Sequence, residues 1–408
     1  MPPDMDPLLP VLHATVDELE SELVGLRRDL HAHPELARLE TRTSRVVADR
    51  LSLAGLEPTL LDGSGVVVDI GAEQPAYRVA LRADLDALPI ADRTGLDWAS
   101  VTEGVAHACG HDLHTAMVLG AGLALVTQAP ALSSAGLGVR LIFQPAEEVI
   151  PGGAHEIIDG GWLTGVDEVF ALHIDPSRDV GEVGLLVGPI TAASDGIEVT
   201  LKGHGGHTSR PHLTQDLTFA LAKVVTEVPA ALSRRIDPRA GAALVWGSVH
   251  AGGAQNVIPS VGTASGTLRI LDADLWREVG ALVEELVEAV VAPYAVTTEV
   301  RYTQGVPPVV NAGPSIDSLR DAAHAADMVP GTTVQSLGGE DFAWYLTEVR
   351  GAMGRLGTRT PGGPTYDLHQ GDLVIDERAL AFGVKVLVGA VLDAGRRHAQ
   401  ALLDVPSR

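Results

Sequence analysis

The chain has 408 residues, and its 53 acidic and 29 basic side chains give a formal net charge of −24 at pH 7. Because a protein with this negative charge would repel nucleic acid and anionic lipid, we expect neither as its main partner. An apolar fraction of 46% excludes global disorder, and the length predicts two domains. None of the lysines, Lys202, Lys223 and Lys385, precedes Ser or Thr, which excludes a Walker-type phosphate loop.

The sequence gives no indication of an oxidising or membrane environment. Cys109 is the only cysteine, so no disulfide can form within the chain. The first seven residues, Met-Pro-Pro-Asp-Met-Asp-Pro, lack the basic region and the apolar run of a signal peptide. The most apolar windows, such as 116–126, are too short to cross a bilayer. We therefore expect a cytoplasmic protein without a membrane span.

The first part of the chain alternates between helical and strand patterns. Apolar residues at helical spacing from Leu12 to Leu30 predict an opening amphipathic helix that ends before Pro34. The apolar runs that predict strands cover 65–70, 78–81, 139–143 and 169–173, and a helical pattern covers 113–127. This alternation predicts an α/β sheet with flanking helices.

The pattern changes near Gly188. An alternating strand over 195–202 precedes a helix over 217–232, strands over 243–249 and 263–271, and a helix over 275–291. Apolar strand and helix patterns return after the Pro307-Pro308 turn, and a long helix over 377–401 ends the chain. We therefore predict a larger domain from residues 1–187 and 306–408, and a smaller α+β domain inserted at 188–305.

The densest group of chemically active side chains opens a predicted helix. It places three histidines, one thiol and one carboxylate within eight positions, at His107, Cys109, His111, Asp112 and His114. A lone histidine is more often structural than a metal ligand, but a cluster of this density favours ligation. Because one glycine separates Cys109 from His111, their thiolate and imidazole can reach one metal site from a tight turn.

A second group follows the predicted strand 139–143. Adjacent carboxylates such as Glu147 and Glu148 usually lie in a solvated loop, but here the strand delivers them to a sheet edge, where α/β proteins keep their sites. Adjacent side chains point in different directions, so one carboxylate can ligate metal while the other acts as a general base. A third strand ends at His173, and His369 lies in the C-terminal part.

In order along the chain, these motifs resemble the binuclear metallopeptidase family of aminoacylases, hippurate hydrolases and indole-acetyl-amino-acid hydrolases, in its cysteine-containing amidohydrolase branch. The resemblance covers nearly the whole chain and rests on the following motifs: His31–Leu36, Arg82–Ile90, His107–Thr115, Phe143–Glu148, Gly205–His207 with Pro211 and His212, Asn256–Pro259, Gly266–Arg269, Gly339–Phe342 and Leu368–His369. It implies a mixed-sheet, di-metal peptidase-like domain with an inserted lid and dimerisation domain.

The resemblance also implies a role for each matching residue. Two divalent metal ions, zinc first and manganese or cobalt as alternatives, would be held by Cys109, His111, Glu148, His173 and His369. The Cys109 thiolate would bridge them, and Glu147 would be the general base. His207 would stabilise the oxyanion, often across a dimer, while Asn256 and Arg269 would bind substrate. Residues that would orient the ligands are Asp84, Asp86, His114, Glu340 and Asp341.

Three positions depart from the family pattern and bear on specificity. Gln370 and Gly371 follow the last histidine, Asp175 stands where an aromatic residue is common, and Arg210 lies beside the oxyanion histidine. These departures leave the metal ligands unchanged. We therefore interpret Asp175 and Arg210 as residues that line the substrate pocket.

The sequence therefore predicts hydrolysis of the amide bond of small-molecule N-acyl amino acids by a cytoplasmic homodimer. On the same scaffold, a dipeptidase, an N-acetyl-diaminopimelate deacetylase and an Nε-acyl-lysine deacylase stay open. A cysteine hydrolase with Cys109 as nucleophile would leave the carboxylates and distant histidines without a shared purpose. A non-catalytic binding protein is a further alternative, but the base and all five ligands are present.

Overall fold

A computed structural model of the protein describes residue 5 and residues 7–403. The described chain divides into two compact units. Unit 1 contains the described residues up to Gly188, Asn311–Val334, and the chain from Trp344 onward, and unit 2 contains Pro189–Val310 and Gln335–Ala343. Most of the N-terminal segment behind the expectation of a cytoplasmic protein lies outside the described residues. Among the described residues, no helix combines the length and apolar character needed to cross a membrane.

Unit 1 is built on an eight-stranded mixed sheet with the strand order β1-β2-β4-β3-β5-β16-β6-β15. Its strands are β1 (Thr59–Leu60), β2 (Val66–Gly71), β3 (Tyr77–Asp84), β4 (Leu137–Gln144), β5 (Glu168–Asp179), β6 (Glu182–Leu185), β15 (Val329–Thr332) and β16 (Arg350–Arg359). The central strands β4, β3, β5 and β16 run parallel, while β2 and β6 pair antiparallel with β4 and β16. The mixed α/β fold expected from the sequence is thus confirmed.

The helices of unit 1 cover this sheet. They are α1 (Leu8–Ala32), α2 (Thr41–Leu53), α3 (His111–Val126), α4 (Ala129–Ser134), α5 (Ala154–Asp159), α8 (Gly313–Ala325) and α10 (Arg378–Leu403). α3 contacts α1, α10 and strand β3, and all its residues from His111 to Leu125 are buried. A helix that is apolar on all sides is stable only in such an interior, which explains the unbroken apolar run that the sequence shows there.

Unit 2 is a four-stranded antiparallel sheet with two long helices. The sheet order is β10-β12-β8-β13, and the strands are β8 (Ala193–Lys202), β10 (Ala243–Ala251), β12 (Val261–Ile270) and β13 (Thr297–Val306). Helices α6 (Leu217–Arg235) and α7 (Ala273–Val291) contact each other and this sheet, and the short strands β9 (Gly206–His207) and β11 (Val257–Ile258) pair separately. Three further elements lie at junctions of the two units along the chain: β7 (Gly188–Pro189), β14 (Val310–Asn311) and α9 (Phe342–Glu348).

The sequence-based elements agree with the structure to within a few residues in most cases. The opening helix begins at Leu8 rather than Leu12, and the strand expected to end at His173 continues to Asp179. Helices α2 and α8 and strand β16 were not predicted, because their apolar residues are interrupted by charged ones. The domain limits at 188 and 305 stay a prediction.

Candidate metal centre and catalytic site

Three parallel strands of unit 1 bring the chemically active side chains together. β3 pairs in parallel with both β4 and β5, so their carboxyl ends meet at one edge. β3 ends at Asp84, β4 ends shortly before Glu147 and Glu148, and β5 carries His173. Ligands of open α/β sheets bind at this edge, because the loops that follow the strands converge there.

A tight turn before α3 adds the thiol and the next imidazole. Gly110 precedes the helix with φ of +79°, a left-handed conformation that residues with a β-carbon rarely adopt. A β-carbon at this position would also clash with the side chain of Ile174. The glycine therefore allows Cys109 and His111 to approach β5 closely, as the spacing of the motif suggested.

Cys109, His111 and His173 form the first group of buried donors. Their ligand atoms lie within 4.8 Å of one another, and Cys109 Sγ is 3.5 Å from His173 Nε2. His111 Nδ1 lies 2.9 Å from the Asp86 carbonyl oxygen, and His173 Nδ1 lies 2.8 Å from the Ile174 carbonyl oxygen. Because a carbonyl can only accept, both Nδ1 atoms carry the proton. With a cation in place of a second ring proton, each Nε2 would offer a lone pair to the site.

Glu148 and His369 complete a second group with the same thiol. Cys109, Glu148 and His369 place their ligand atoms within 4.8 Å of one another, and so do His111, Glu147 and Glu148. His369 Nε2 is 3.3 Å from Glu148 Oε1. The backbone of His369 has φ of +59°, and its N–H donates to the Ala108 carbonyl at 2.8 Å, which ties the last histidine to the cysteine turn.

The charges around these donors are strongly coupled. Burial raises the pKa of the Cys109 thiol to about 12, so the thiol is protonated without a cation beside it. Burial also lowers the pKa of His173, and the nearby charges of Arg355 and His114 lower it further. Burial alone would lower the pKa of His111. The Asp84 carboxylate and the contacts with Asp86 and Cys109 outweigh burial and raise this pKa overall. The hydrogen bond with Glu148 raises the pKa of His369.

His114 and the two aspartates support this arrangement. His114 Nδ1 contacts Asp84 Oδ1 at 2.7 Å, and its Nε2 accepts the Ile174 N–H at 3.0 Å. Both ring nitrogens are therefore engaged, so His114 orients the strand at His173. Asp84 also accepts a hydrogen bond from Arg82, and Asp86 Oδ2 accepts the N–H of Glu148 at 2.9 Å. The contact that orients His111 comes from the main chain of Asp86.

The donor set fits divalent cations. His111 Nε2 is buried without a hydrogen-bond partner and lies 3.8 Å from Glu148 Oε1. A lone pair and a carboxylate oxygen facing each other in the interior are stable when a cation lies between them. Thiolate, imidazole and carboxylate together suit first-row divalent metals such as zinc, manganese or cobalt. Cys109 belongs to two donor groups, so the residues could hold two divalent ions.

Unit 2 contains the other residues selected from the sequence. His207 in β9 is paired with Val257 of β11, its carbonyl accepts from Arg210 at 2.9 Å, and Thr208 donates to the Asn256 carbonyl at 3.2 Å. His207, Arg210 and Asn256 are thus exposed neighbours in one pair of loops. Arg269 lies on the inner strand β12, in register with Ser194. Glu340 and Asp341 are buried, and Glu340 Oε1 accepts the Phe342 N–H at 2.9 Å.

The structure adds local contacts for Asp175 and for Glu40. Asp175, on β5, binds the N–H and hydroxyl of Ser177 through Oδ1, so that carboxylate oxygen is occupied locally. Glu40 was not selected from the sequence, although its buried carboxylate contacts the loop that carries Glu147. No sequence pattern connects residues 106 positions apart, so this contact becomes visible only in the fold.

An α/β unit that gathers a thiol, imidazoles and carboxylates at the carboxyl edge of its sheet defines a candidate divalent-metal centre. A family model described as peptidase family M20/M25/M40 matches residues 80–393. The chain belongs to this family. Its similarity to relatives named as a deacetylase and an amidohydrolase identifies it as a metal-dependent amidohydrolase.

Two of three similar proteins carry names that agree with this assignment. A Rhodococcus jostii protein named putative glutamate–cysteine ligase 2-3 is 48% identical over 375 residues, which is 90% of this chain but 46% of that protein. The chain therefore spans less than half the length of that relative. The N-acetyl-L-cysteine deacetylase of Bacillus subtilis is 37% identical, with 89% of this chain and 85% of that protein covered. A solved Bacillus subtilis structure, described as a dinuclear metal-binding M20 peptidase, has 30% identity and a TM-score of 0.82, covering 93% and 99% of the two chains.

Proposed function

We propose that the protein hydrolyses the amide bond of N-acyl amino acids and releases a carboxylic acid and a free amino acid. The observation that carries the proposal is the pair Glu147–Glu148 at the end of β4, with ligand atoms within 4.8 Å of those of His111. One carboxylate of such a pair can hold a cation while its neighbour handles protons, which is the division of labour that amide hydrolysis needs. The similarity to a deacetylase of an N-acyl amino acid supports the same substrate class.

In the proposed mechanism two divalent ions would be held by Cys109, His111, Glu148, His173 and His369. When bound, such ions polarise the amide carbonyl and make water a better nucleophile near neutral pH. Glu147 takes a proton from the attacking water and delivers it to the nitrogen of the leaving amine as the carbon–nitrogen bond breaks. The proton is conserved, because the base of the first step becomes the acid of the second.

The residues of unit 2 are proposed to recognise the substrate. His207 would donate to the oxyanion that forms when water attacks the carbonyl. The Asn256 amide would bind the substrate by hydrogen bonds, and the Arg269 guanidinium would hold a carboxylate in a fork. Arg210 and Asp175 would shape the specificity. Support for this assignment comes from the adjacent loops that carry His207, Arg210 and Asn256.

Hydrolysis of a small substrate panel tests the proposed function. Enzyme stripped with a chelator and reloaded with zinc, manganese or cobalt would be assayed by release of free amine. The panel holds Nα-acetyl, Nα-benzoyl and indole-acetyl conjugates, N-acetyl-L-cysteine, a dipeptide, N-acetyl-diaminopimelate and Nε-acetyl-lysine. We expect release from at least one Nα-acyl amino acid, only with metal and in an order that depends on the ion.

The control for the panel concerns the thiol substrate, which can itself bind metal. N-acetyl-S-methylcysteine has nearly the same shape without a free thiol, so equal rates on both would exclude an artefact of chelation. Release from Nε-acetyl-lysine alone would indicate an Nε-acyl-lysine deacylase. Release from the dipeptide alone would indicate a dipeptidase. Absence of release from every compound, in protein that holds two ions, would contradict the proposal.

We also propose that the protein is a homodimer joined through unit 2. Strand β10 is an edge of the four-stranded sheet, and Val245 and Val249 on it are 61% and 47% exposed. An edge with exposed apolar side chains and unpaired backbone groups is suited to pairing with a second copy. Light scattering is expected to give twice the mass of one chain. Val245→Lys is expected to lower the measured mass toward that of a single chain. A wild-type monomer with full activity would contradict this proposal.

A further inference from the structure

The segment between α1 and α2 carries a fully buried carboxylate, Glu40. Its Oε1 accepts the backbone N–H of Ala146 at 2.7 Å, and its Oε2 accepts the hydroxyl of Ser64 at 2.7 Å. A carboxylate removed from water is costly unless its oxygens accept hydrogen bonds, so these two contacts account for its presence. One of the two lies next to the proposed general base.

Ala146 has an unusual backbone conformation. Its φ is +55°, in the left-handed region that favours glycine, and its side chain is fully buried. A residue with a β-carbon stays there only when its surroundings hold it. The N–H of Ala146 is held by Glu40, and its carbonyl accepts the N–H of Gly153 at 2.9 Å. A β-carbon at Gly153 would clash with the carbonyl of Pro145, so the second contact depends on glycine.

This conformation sets the direction in which the chain leaves β4. Glu147 and Glu148 follow Ala146 immediately, so a change of its φ would swing both side chains. At the other end of this short segment, Asp86 accepts the N–H of Glu148 at 2.9 Å. Two carboxylates, one from the α1–α2 segment and one from the loop after β3, therefore hold the backbone that presents the two glutamates.

We propose that Glu40 is a positioning residue, which holds Ala146 in its left-handed conformation and thereby fixes the directions of Glu147 and Glu148. The effect on turnover rests on the proposed function, whereas the effect on metal retention through Glu148 does not depend on the substrate. In this proposal Glu40 supports catalysis through the backbone, although it takes no direct part in the reaction.

The test compares Glu40→Ala alone with the double variant Glu40→Ala and Ala146→Gly. Loss of the carboxylate is expected to lower kcat about 100-fold with KM nearly unchanged, because misplacing a catalytic group by about 1 Å has an effect of that size. Glycine adopts positive φ without the steric cost of a β-carbon, so the double variant should recover kcat about tenfold. Glu40→Gln should keep most activity, since its amide oxygen can accept from Ala146 and its NH₂ can donate to Ser64.

Glu35→Gln is the matched control, because Glu35 lies in the same segment but caps α2. Its oxygens accept the N–H groups of Arg42 at 2.9 Å and Thr43 at 2.8 Å, both in the first turn of α2. It should keep kcat and metal retention at wild-type values. Retention would be measured by competition with a chelator, and Glu40→Ala should release its ions more readily than this control.

Three results would overturn the proposal: wild-type kcat and retention in Glu40→Ala, equal losses in the control, or no recovery on adding Ala146→Gly. If Glu40→Ala does not fold, Glu40→Asp, which withdraws the carboxylate by one methylene group, is tested for recovery by the same glycine. If wild type cleaves no panel substrate, the proposed function fails, and the chelator competition decides on Glu40 separately.

Discussion

Replacing Glu147 by glutamine is expected to lower kcat by about 10⁴-fold, the upper end of what general acid–base catalysis contributes. Glutamine has nearly the same shape and can still hydrogen-bond, but at neutral pH it cannot take a proton from water. Metal content, measured by mass spectrometry on the purified protein, should stay near that of wild type. The substrate for the kinetics is whichever panel member wild type cleaves fastest.

The neighbouring carboxylate is the matched control for this experiment. Glu148 lies 3.3 Å from His369 Nε2 and 3.8 Å from His111 Nε2, so its carboxylate belongs among the donors. Glu148→Gln should therefore lose metal as well as turnover, and an excess of metal should restore part of the activity. A Glu147→Gln variant that keeps more than about a tenth of wild-type kcat would remove Glu147 from its assigned role. Loss of metal from that variant would make Glu147 a ligand.

Much of unit 1 could be predicted because its elements carry strong local signals. The apolar run of α3 and the short strands β3 and β4 are visible as patterns within a window of a few residues. The order of the motifs then places Glu147 and Glu148 just after β4 and His173 within β5, and the parallel pairing of β3 with β4 and β5 brings them together.

The contacts that hold the site could not be predicted from local patterns. Glu40 reaches Ala146 across 106 positions of the chain, and an acidic residue just before a helix is normally solvated. Similarly, His114 belongs to the dense histidine cluster by sequence, but only the fold shows that Asp84 and the Ile174 N–H engage both of its ring nitrogens. Such pairings depend on how distant segments pack.

The assignment of residues 335–343 shows the same limit. This segment follows β15, carries the motif Gly339–Phe342, and falls within 306–408, the range that the sequence pattern predicts for the larger domain. In the fold Ser336 exchanges backbone hydrogen bonds with Ile190 and Ala192, each 2.9 Å long, and these contacts place it in unit 2. A short irregular segment has no apolar period from which such a partner could be inferred.

Replacing Cys109 by serine is expected to reduce metal content from two ions to one or none and to lower kcat by about 10³-fold or more. Cys109 is shared by the donor group with His111 and His173 and by the group with Glu148 and His369, so one substitution weakens both. A serine hydroxyl has a similar size, but it keeps its proton near neutral pH and is a much harder donor than a thiolate. Metal analysis and kinetics on the same preparation measure both effects.

The same variant separates the metal-dependent mechanism from a cysteine nucleophile. A nucleophilic thiol would be needed for turnover but not for metal binding, so Cys109→Ser would then keep its ions, and chelated wild type would stay active. The arrangement of the donors predicts the reverse: chelation inactivates wild type, added metal restores it, and Cys109→Ser is not restored by metal. Full metal content in an inactive Cys109→Ser would contradict the shared thiolate and return Cys109 to covalent chemistry.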